Sequence, residues 1–343
     1  MNLKEFSNLL GLSPTTVSRA LSGYPEVSEK TRRKVNEAAR IHGYQPNLRA
    51  RALALGRSYS IGHVLSSSNG SELVNPIFGD FISGAAEAGA ARGYSINLTI
   101  AEQSSEESVF RKLKAQGSVA GIILQSPKVH DQRIELLKEL GLKFVVHGRS
   151  SGVSIPYSWV DVNNHRAFEQ ATTFLAHMGH RRIGLINGRQ DFDFAHRRLN
   201  GYLQALHAAG IEPHSDLQTS GDMTEANGYA AAKAMLELES PATAFLAASV
   251  MSAIGARRAI HDSGLELPGD VSLIAYDDDL SYLSNRQSPP IFTAVRSSVR
   301  EAGERAVTLL MSQIEGQKVR NDQLLLETEL VVGMSTGPRK SVR

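Results

Sequence analysis

The chain has 343 residues, which at about 150 residues per domain allows two or three domains. Apolar residues make up 41% and charged residues 21%, as in globular proteins, so a wholly disordered chain is excluded. No cysteine occurs, which excludes disulfide bonds, thiolate nucleophiles and cysteine-ligated metal centres. Lys4 and Glu5 interrupt any signal peptide, and no apolar run reaches about 18 residues. We therefore expect a cytoplasmic protein without a membrane segment.

The positive charge is concentrated at the N-terminal end. Residues 1–60 contain ten Lys and Arg residues and four Glu residues, a net charge of +6, whereas the whole chain has a net charge of +2. The rest of the chain therefore carries the difference, −4. A small basic end on a mildly acidic body indicates contact with nucleic-acid phosphate. A solvated charged helix is the alternative that charge alone leaves open.

Two short helices are predicted at the start of the chain. Apolar side chains recur at helical spacing over Leu3–Leu10, and Gly11 allows the left-handed conformation that ends a helix. Ser13 and Pro14 are favourable for the N-cap and first position of a second helix, which we expect to end at about Leu21. This spacing is typical of a helix-turn-helix, whose second helix enters the major groove of DNA.

A third helix is predicted after the capping sequence Val27-Ser28-Glu29. Its apolar side chains, including Val35, are expected to pack inward. We expect Arg32, Arg33 and Lys34 on the outer face, near a phosphate backbone.

Several motifs in this region match one protein family. They are Thr16-Val17-Ser18-Arg19, Val27-Ser28, Thr31-Arg32, Gly43-Tyr44, Pro46-Asn47 and the junction from Ser58 to Gly62. In these motifs the sequence resembles the LacI/GalR family of bacterial transcription regulators. The resemblance implies a homodimer that binds double-stranded, pseudo-palindromic operator DNA. The DNA-binding candidates are Ser13, Pro14, Thr15, Thr16, Ser18, Arg19, Asn47 and Leu53.

Three of these candidates have specific expected roles. The resemblance implies that Pro14 and Thr15 read base edges and that Arg19 contacts a guanine. Pro14 is an unusual reader because it offers only apolar contact, for instance to a thymine methyl group.

The segment Asn47–Arg57 is rich in helix formers, but a helix of about ten residues is too short to be stable alone in water. The resemblance implies a hinge helix that folds on the operator and inserts Leu53 into the minor groove. An ordinary interdomain linker is the alternative.

The remainder predicts two doubly wound units. From Ser60 onward, apolar runs such as Ile61–Leu65 alternate with helical stretches, and a second such series begins near Trp159. This alternation predicts parallel sheets with helices on both faces. The late segments Ile291–Arg296 and Leu324–Leu330 are each expected to form one strand.

The predicted fold class is therefore a small all-α helix-turn-helix head plus hinge helix, joined to an α/β core of two parallel-sheet subdomains. The family resemblance implies that this core is similar to periplasmic sugar-binding proteins. The predicted domains are a head of residues 1–46, a hinge of 47–58, a first subdomain of 59–161 with 291–320, a second subdomain of 162–290 with 321–336, and a tail of 337–343.

Polar residues follow most of the apolar runs, where parallel sheets bind ligands. Hydroxyl, amide, guanidinium and carboxylate groups suit a ligand with many hydroxyls, so a sugar effector is expected. From position and resemblance together, the effector-binding candidates are Ser67, Phe78, Gln125, His147, Arg149, Asn163, Phe192, Phe194, Arg198, Met223, Ser249 and Asp277.

Within this set the resemblance gives Arg198 and Asp277 the main contacts with the effector. Ser249 stands where the family usually has an amide, and Asn163 replaces a frequent aspartate, so the effector of other members cannot be transferred. Phe192 and Phe194 would stack on a sugar ring, as in binding of a glucoside or disaccharide such as an α-glucoside; core packing is the alternative.

No catalytic or cofactor site is expected. Asp277-Asp278-Asp279 could hold a divalent cation, but the resemblance gives Asp277 to the effector. His177 and His180 have a metal-like spacing, although they flank Gly179 and are expected to cap a helix end. No phosphate-binding glycine loop or nucleophile elbow occurs.

The preferred interpretation is a repressor of sugar uptake or catabolism genes that a sugar releases from DNA. The same fold acting with a co-repressor, a sugar receptor that does not bind DNA, and an enzyme are the alternatives.

Overall fold

The structure is a computed structural model that describes residues 1–21, 23–44, 58–66, 75–283, 285, 288–317 and 322–340. The chain divides into two compact units, Met1–Tyr59 and Ser60–Arg343. Within the described ranges, no helix is long and apolar enough to cross a membrane.

The described residues of the first unit form three helices, α1 (Leu3–Leu10), α2 (Pro14–Leu21) and α3 (Glu29–Ile41). Gly11 ends α1 at a φ of 66°, as its position predicted. Phe6, Val17 and Val35 are fully buried between the helices. The Phe6 ring stacks on Tyr44 with centroids 4.2 Å apart, so Tyr44, which lies three residues after the end of α3, closes this small core.

Two of the three cationic side chains expected on the outer face of α3 form hydrogen bonds within the first unit. Arg32 donates hydrogen bonds to the Glu29 carboxylate at 2.9 Å and to the carbonyl oxygen of Tyr24 at 3.0 Å. The Lys34 ammonium donates to the carbonyl oxygen of Leu10 at 3.2 Å, which joins α3 to the end of α1. These contacts brace the turns, whereas Arg33 is exposed, as predicted.

The second unit contains two six-stranded sheets. In the first, the order is β11, β5, β4, β3, β1, β2. These strands are β1 (Ser60–Ser66), β2 (Ser95–Ala101), β3 (Gly121–Gln125), β4 (Phe144–His147), β5 (Trp159–Val162) and β11 (Gln323–Leu326). All its pairings are parallel.

The second sheet has the order β7, β6, β8, β9, β10, β12, and only β12 is antiparallel to its neighbour. These strands are β6 (Ile183–Gly188), β7 (Gln218–Gly221), β8 (Ala244–Ala247), β9 (Ser272–Asp277), β10 (Thr293–Arg296) and β12 (Glu329–Val331). Strands β6, β8 and β9 are buried along their whole length because helices cover both faces, which confirms the doubly wound prediction.

The helices of the second unit follow the strands in the expected alternation. They are α4 (Pro76–Ala90), α5 (Glu106–Gln116), α6 (Gln132–Glu139), α7 (Asn164–His177), α8 (Asp193–Ala208), α9 (Glu225–Leu236), α10 (Val250–Asp262) and α11 (Val299–Ile314). Short 3₁₀ turns occur at Gln103–Ser105 and Ser215–Leu217. Helices α4 and α11 pack closely because Gly84 lies against the backbone of Arg300, where a Cβ atom would be only 2.1 Å from the carbonyl oxygen.

The chain crosses between the subdomains at places that differ from the predicted boundaries. Residues 293–296 form β10 of the second sheet rather than returning to the first, so this crossing lies after Arg296. The single strand predicted over Leu324–Leu330 is two strands: β11 pairs with β5 of the first sheet, and β12 pairs with β10 of the second. The break between β11 and β12 is only two residues, Glu327 and Thr328, which is too short to indicate a change of sheet along the sequence.

His180 does not cap the preceding helix, contrary to the sequence prediction. Its ring nitrogens lie 3.1 Å from Thr243 Oγ1 and 2.9 Å from Ser272 Oγ, so it joins neighbouring strands. Arg181 instead donates to the carbonyl oxygen of Ala176 near the end of α7. Among the residues of known position, no group of three potential ligands could hold a metal ion.

Candidate functional site

A cleft lies between the carboxyl ends of the two sheets. Both sheets reverse their strand order beside their first strand, and such switch points open a crevice at this edge. The space between them, including its open mouth, is about 740 Å³. The cleft is lined by Ile77, Gln125, Ser126, Pro127, His147, Gly148, Arg149, Asp161, Val162, Asn164, Phe194, Arg198, Met223, Ala248, Tyr276, Asp278, Ser297, Val299 and Ala302.

Arg198 on α8 is the buried cation of the cleft. Its Nε donates to Asn164 Oδ1 at 2.7 Å, and its Nη1 donates to the carbonyl oxygen of Ala248 at 2.8 Å. The guanidinium lies 3.9 Å from the centroid of the Tyr276 ring and 4.9 Å from that of Phe194. Burial lowers the pKa of Arg198, but an arginine remains charged. Its orientation is therefore fixed before any ligand arrives.

Asp277 and Asp278 have different positions at the end of β9. Asp277 is 2% exposed; its carboxylate accepts from the backbone N–H of Asp279 at 2.9 Å and from Arg296 Nε at 3.3 Å. These bonds hold the loop. Asp278 lines the cleft, where burial raises its pKa to about 7 despite the favourable charge of Arg198. Asp278 therefore lines the cleft, whereas the predicted Asp277 does not.

A second charge pair lies on the first subdomain. Arg149 Nε donates to Asp161 Oδ2 at 2.7 Å, and its guanidinium lies 4.8 Å from the centroid of the Trp159 ring. Burial raises the pKa of Asp161, although the charge of Arg149 opposes this. His147 stacks on Phe81 with centroids 4.5 Å apart, and burial lowers its pKa to about 4. A neutral imidazole therefore faces the cleft near pH 7.

Two strand ends at the cleft carry left-handed backbone in residues other than glycine. Ser126 has a φ of 50° and Asp279 a φ of 56°. Such conformations cost about 1–3 kcal/mol and persist where surrounding bonds impose them. Arg133 donates to the carbonyl oxygen of Ser126 at 3.4 Å, and Asp277 accepts from the Asp279 amide at 2.9 Å. Hydrogen bonds from neighbouring residues thus stabilise the left-handed conformation of both turns.

The structure brings about half of the predicted effector residues to the cleft. Those that line it are Gln125, His147, Arg149, Phe194, Arg198 and Met223. Phe78, Asn163, Phe192, Ser249 and Asp277 do not line it. Ser67 lies outside the described residues.

The residues that miss the cleft have other partners. Asn163 caps α7 by accepting from the Arg166 amide at 3.3 Å, and Ser249 caps α10 by accepting from the Ser252 amide at 3.1 Å. Phe78 is buried beside His63, with ring centroids 5.5 Å apart. Phe192 stacks on Phe194 at 5.8 Å but lies outside the lining.

The predicted effector set did not include Asn164, Tyr276 and Asp278, although all three line the cleft. Each lies directly beside a residue that was named or at the end of a predicted strand. Asn164 begins α7 and Asp278 follows β9, so the turn of the chain at these points decides which of two neighbouring side chains faces the cleft. The available signal was that polar residues occur in pairs at these ends.

On the first unit, α2 presents the expected exposed face. Pro14, Thr15, Ser18 and Arg19 are exposed, while Val17 and Ala20 beneath them are buried. Ser13 and Thr16 are partly used by the helix itself: Ser13 Oγ accepts from the Thr16 amide at 3.1 Å, and the two hydroxyls lie 2.8 Å apart. Asn47 and Leu53 lie outside the described residues.

Comparisons with known proteins match both parts of the chain. Residues 2–47 match the description "Bacterial regulatory proteins, lacI family", and residues 172–336 match "Periplasmic binding protein-like domain". The HTH-type transcriptional regulator AglR of Rhizobium meliloti (strain 1021) is 42% identical over 98% of this chain and 95% of its own length. This chain belongs to the LacI family.

Further relatives agree. CelR of Thermobifida fusca is 34% identical over 96% of both chains. The solved CelR–cellobiose complex has a TM-score of 0.73 at 32% identity, covering 98% of this chain and 99% of that one. A lac repressor dimer bound to operator and the anti-inducer ONPF has a TM-score of 0.80 at 27% identity with the same coverage. The chain is a DNA-binding transcriptional regulator, which confirms the predicted family and fold and the prediction that it is not an enzyme.

Proposed function

We propose that this regulator is a repressor whose effector is an uncharged glucoside or disaccharide bound in the cleft. The main support for an uncharged ligand is the balance of charged side chains in the lining, in which Arg198 faces Asp278 and Arg149 pairs with Asp161. Above pH 7, where Asp278 is mostly ionised, two cations matched by two carboxylates leave no excess positive charge for a phosphate or carboxylate ligand. They supply donors and acceptors side by side, as vicinal hydroxyl groups require.

The remaining lining supports a sugar ring. Phe194 and Met223 offer apolar surface from the second subdomain, and a neutral His147 and Gln125 offer hydrogen bonds from the first. A sugar ring has one apolar face and a polar edge, so it needs both kinds of contact. The cellobiose in the related CelR structure is a disaccharide bound by that protein, and it supports the same class of ligand here.

On DNA, we propose that α2 reads an operator half-site. Pro14, Thr15 and Arg19 are exposed at the helix positions that would face base edges, and Arg33 would contact phosphate. The hinge roles of Asn47 and Leu53 remain part of this proposal. A ligand that closes the cleft would alter the distance between the hinge segments of the two subunits and so release the operator.

A homodimer is the proposed assembly, because one small head buries too little surface for tight specific binding. On the effector unit, β2 is an edge strand and carries exposed Leu98 and Ile100, 42% and 57% accessible. Exposed apolar side chains on an edge strand are covered in a stable protein. Light scattering should report a dimer, and Ile100→Arg should shift it toward monomer; a wild-type monomer would contradict the proposal.

The test of the effector begins with an operator selected from random duplex DNA. Maltose, cellobiose, sucrose and glucose 6-phosphate are then added separately to the complex while fluorescence anisotropy follows dissociation. We expect one neutral disaccharide to lower the affinity for the operator at least tenfold. The phosphate ester should leave this affinity unchanged. Tighter binding on sugar addition would indicate a co-repressor, and release by the phosphate ester alone would overturn the charge argument.

A further inference from the structure

The two subdomains are joined at the mouth of the cleft by residues that mostly do not line it. Lys128 of the first subdomain and Phe192 of the second form an antiparallel bridge. The Val129 amide donates to the carbonyl oxygen of Asp191 at 3.2 Å, and the Asp193 amide donates to that of Pro127 at 3.1 Å. These contacts exist only while the subdomains are close together.

Asp193 is the buried charge in this contact. It lies in the first turn of α8 and is 1% exposed. One carboxylate oxygen accepts from the backbone N–H of Ser151 at 2.6 Å, across the cleft. The other accepts from Arg197 Nε at 2.5 Å, and Arg197 Nη2 donates to Ser151 Oγ at 3.0 Å. Asp193, Arg197 and Ser151 are therefore hydrogen-bonded to one another in a small network that connects the two subdomains.

We propose that Asp193 is a positioning residue that sets ligand affinity by holding the cleft closed, without contacting the ligand. Arg197 lies one turn along the same helix, so it stays with Asp193 when the cleft opens. Opening keeps the Asp193–Arg197 pair but breaks the bonds of Ser151 to Asp193 and to Arg197. The closed state thus gains two charge-assisted hydrogen bonds that both depend on Asp193, which accepts one and orients Arg197 for the other, and the apparent affinity scales with the closed fraction. The effect on affinity rests on the proposed ligand function; the effect on closure does not.

Closure can be measured without any ligand. The Ser151 amide has its acceptor on the other subdomain, so its protection from hydrogen exchange reports the closed population. The Ser281 amide is an independent reporter at another contact between the subdomains, because it donates to Asp80 Oδ2 at 2.8 Å.

The experiment compares Asp193→Ala and Asp193→Asn with the control Asp191→Ala. Asp191 is on the same loop and also reaches the first subdomain, through Lys128 at 3.7 Å. This pair is exposed to solvent, so screening leaves it little effect on closure, and the other partner of Asp191 is Arg189 of its own loop. The readout is the Ser281 amide, because its acceptor Asp80 is unchanged in these variants, whereas the Ser151 amide loses its acceptor directly. Hydrogen exchange on the full-length, ligand-free protein should be about tenfold faster at Ser281 in Asp193→Ala, with an intermediate rate in Asp193→Asn and no change in the control. Unchanged exchange at Ser281 in a folded Asp193→Ala protein would overturn the proposal. If that variant does not fold, unchanged exchange in Asp193→Asn would do so.

The second part of the experiment measures the affinity for maltose, cellobiose and sucrose by calorimetry. For whichever sugar binds the wild type, we expect about tenfold weaker binding by Asp193→Ala and unchanged binding by Asp191→Ala. Faster exchange with unchanged affinity would refute control of affinity by closure. If none of the three sugars binds the wild-type protein, the proposed disaccharide is wrong, whereas the exchange result still decides the role of Asp193.

Discussion

Replacing His63 with leucine should change the pH dependence of stability. His63 lies in β1 and is fully buried beside Phe78 and Phe81. Within the part of the chain that the structure describes, neither of its ring nitrogens has a hydrogen-bond partner. A buried unpaired polar group costs about 1–3 kcal/mol. His63→Leu removes that cost at similar size, so the free energy of unfolding at pH 7 should rise by about this amount.

The effect should grow as the pH falls. Burial lowers the pKa of His63 to about 3, whereas an exposed histidine has a pKa of about 6.5. Between these values the unfolded chain binds a proton that the folded chain does not, so stability is fully present above pH 6.5 and is lost toward pH 3. From pH 7 to pH 5 this single group removes about 2 kcal/mol. His147, with a pKa lowered to about 4, should remove a similar amount.

Urea unfolding followed by the fluorescence of Trp159, the only tryptophan, reports the first subdomain directly. We expect wild type to lose about 4 kcal/mol between pH 7 and pH 5 from the two histidines, and His63→Leu to lose about half as much. The exposed His207 provides the control, because His207→Leu should keep the wild-type slope. An unchanged slope in His63→Leu, or a less stable variant at pH 7, would refute the reasoning.

Other predictions concern binding. Lysine cannot keep both bonds that Arg198 makes to Asn164 and Ala248, so Arg198→Lys should weaken sugar binding at least tenfold by calorimetry while operator affinity stays within about twofold. Because the pKa of Asp278 is about 7, sugar affinity should rise from pH 6 to pH 8 as the stronger, ionised acceptor forms, and Asp278→Asn should abolish the trend. Arg19→Ala should cost about 1–3 kcal/mol at one base pair of the operator, whereas Arg33→Ala should weaken all sequences alike; footprinting that shows unchanged specificity for Arg19→Ala would contradict this.

Local sequence determined the helices and most strands of this protein. The ends of α1 and α2 follow from Gly11, Ser13 and Pro14, because backbone conformation and capping act over a few residues. Alternation of apolar runs and amphipathic stretches likewise determined the two parallel sheets. The family motifs and the basic first sixty residues pointed to a DNA-binding regulator for the same reason: they are readable along the chain.

Tertiary structure decided which side chains meet. Asp277 and Asp278 are adjacent residues of the same type, and only the direction in which the chain leaves β9 makes the first a loop brace and the second a cleft residue. Only Glu327, Thr328 and Glu329 separate Leu326 from Leu330. Leu324–Leu326 nevertheless pair with a strand of the first sheet that lies more than a hundred residues earlier, whereas Leu330 pairs with a strand of the second sheet about thirty-five residues earlier. Such pairings depend on contacts between distant segments, which local propensity does not encode. The buried His63 and the cross-cleft bond of Asp193 to Ser151 are of the same kind, since each exists only once separate parts of the chain have packed.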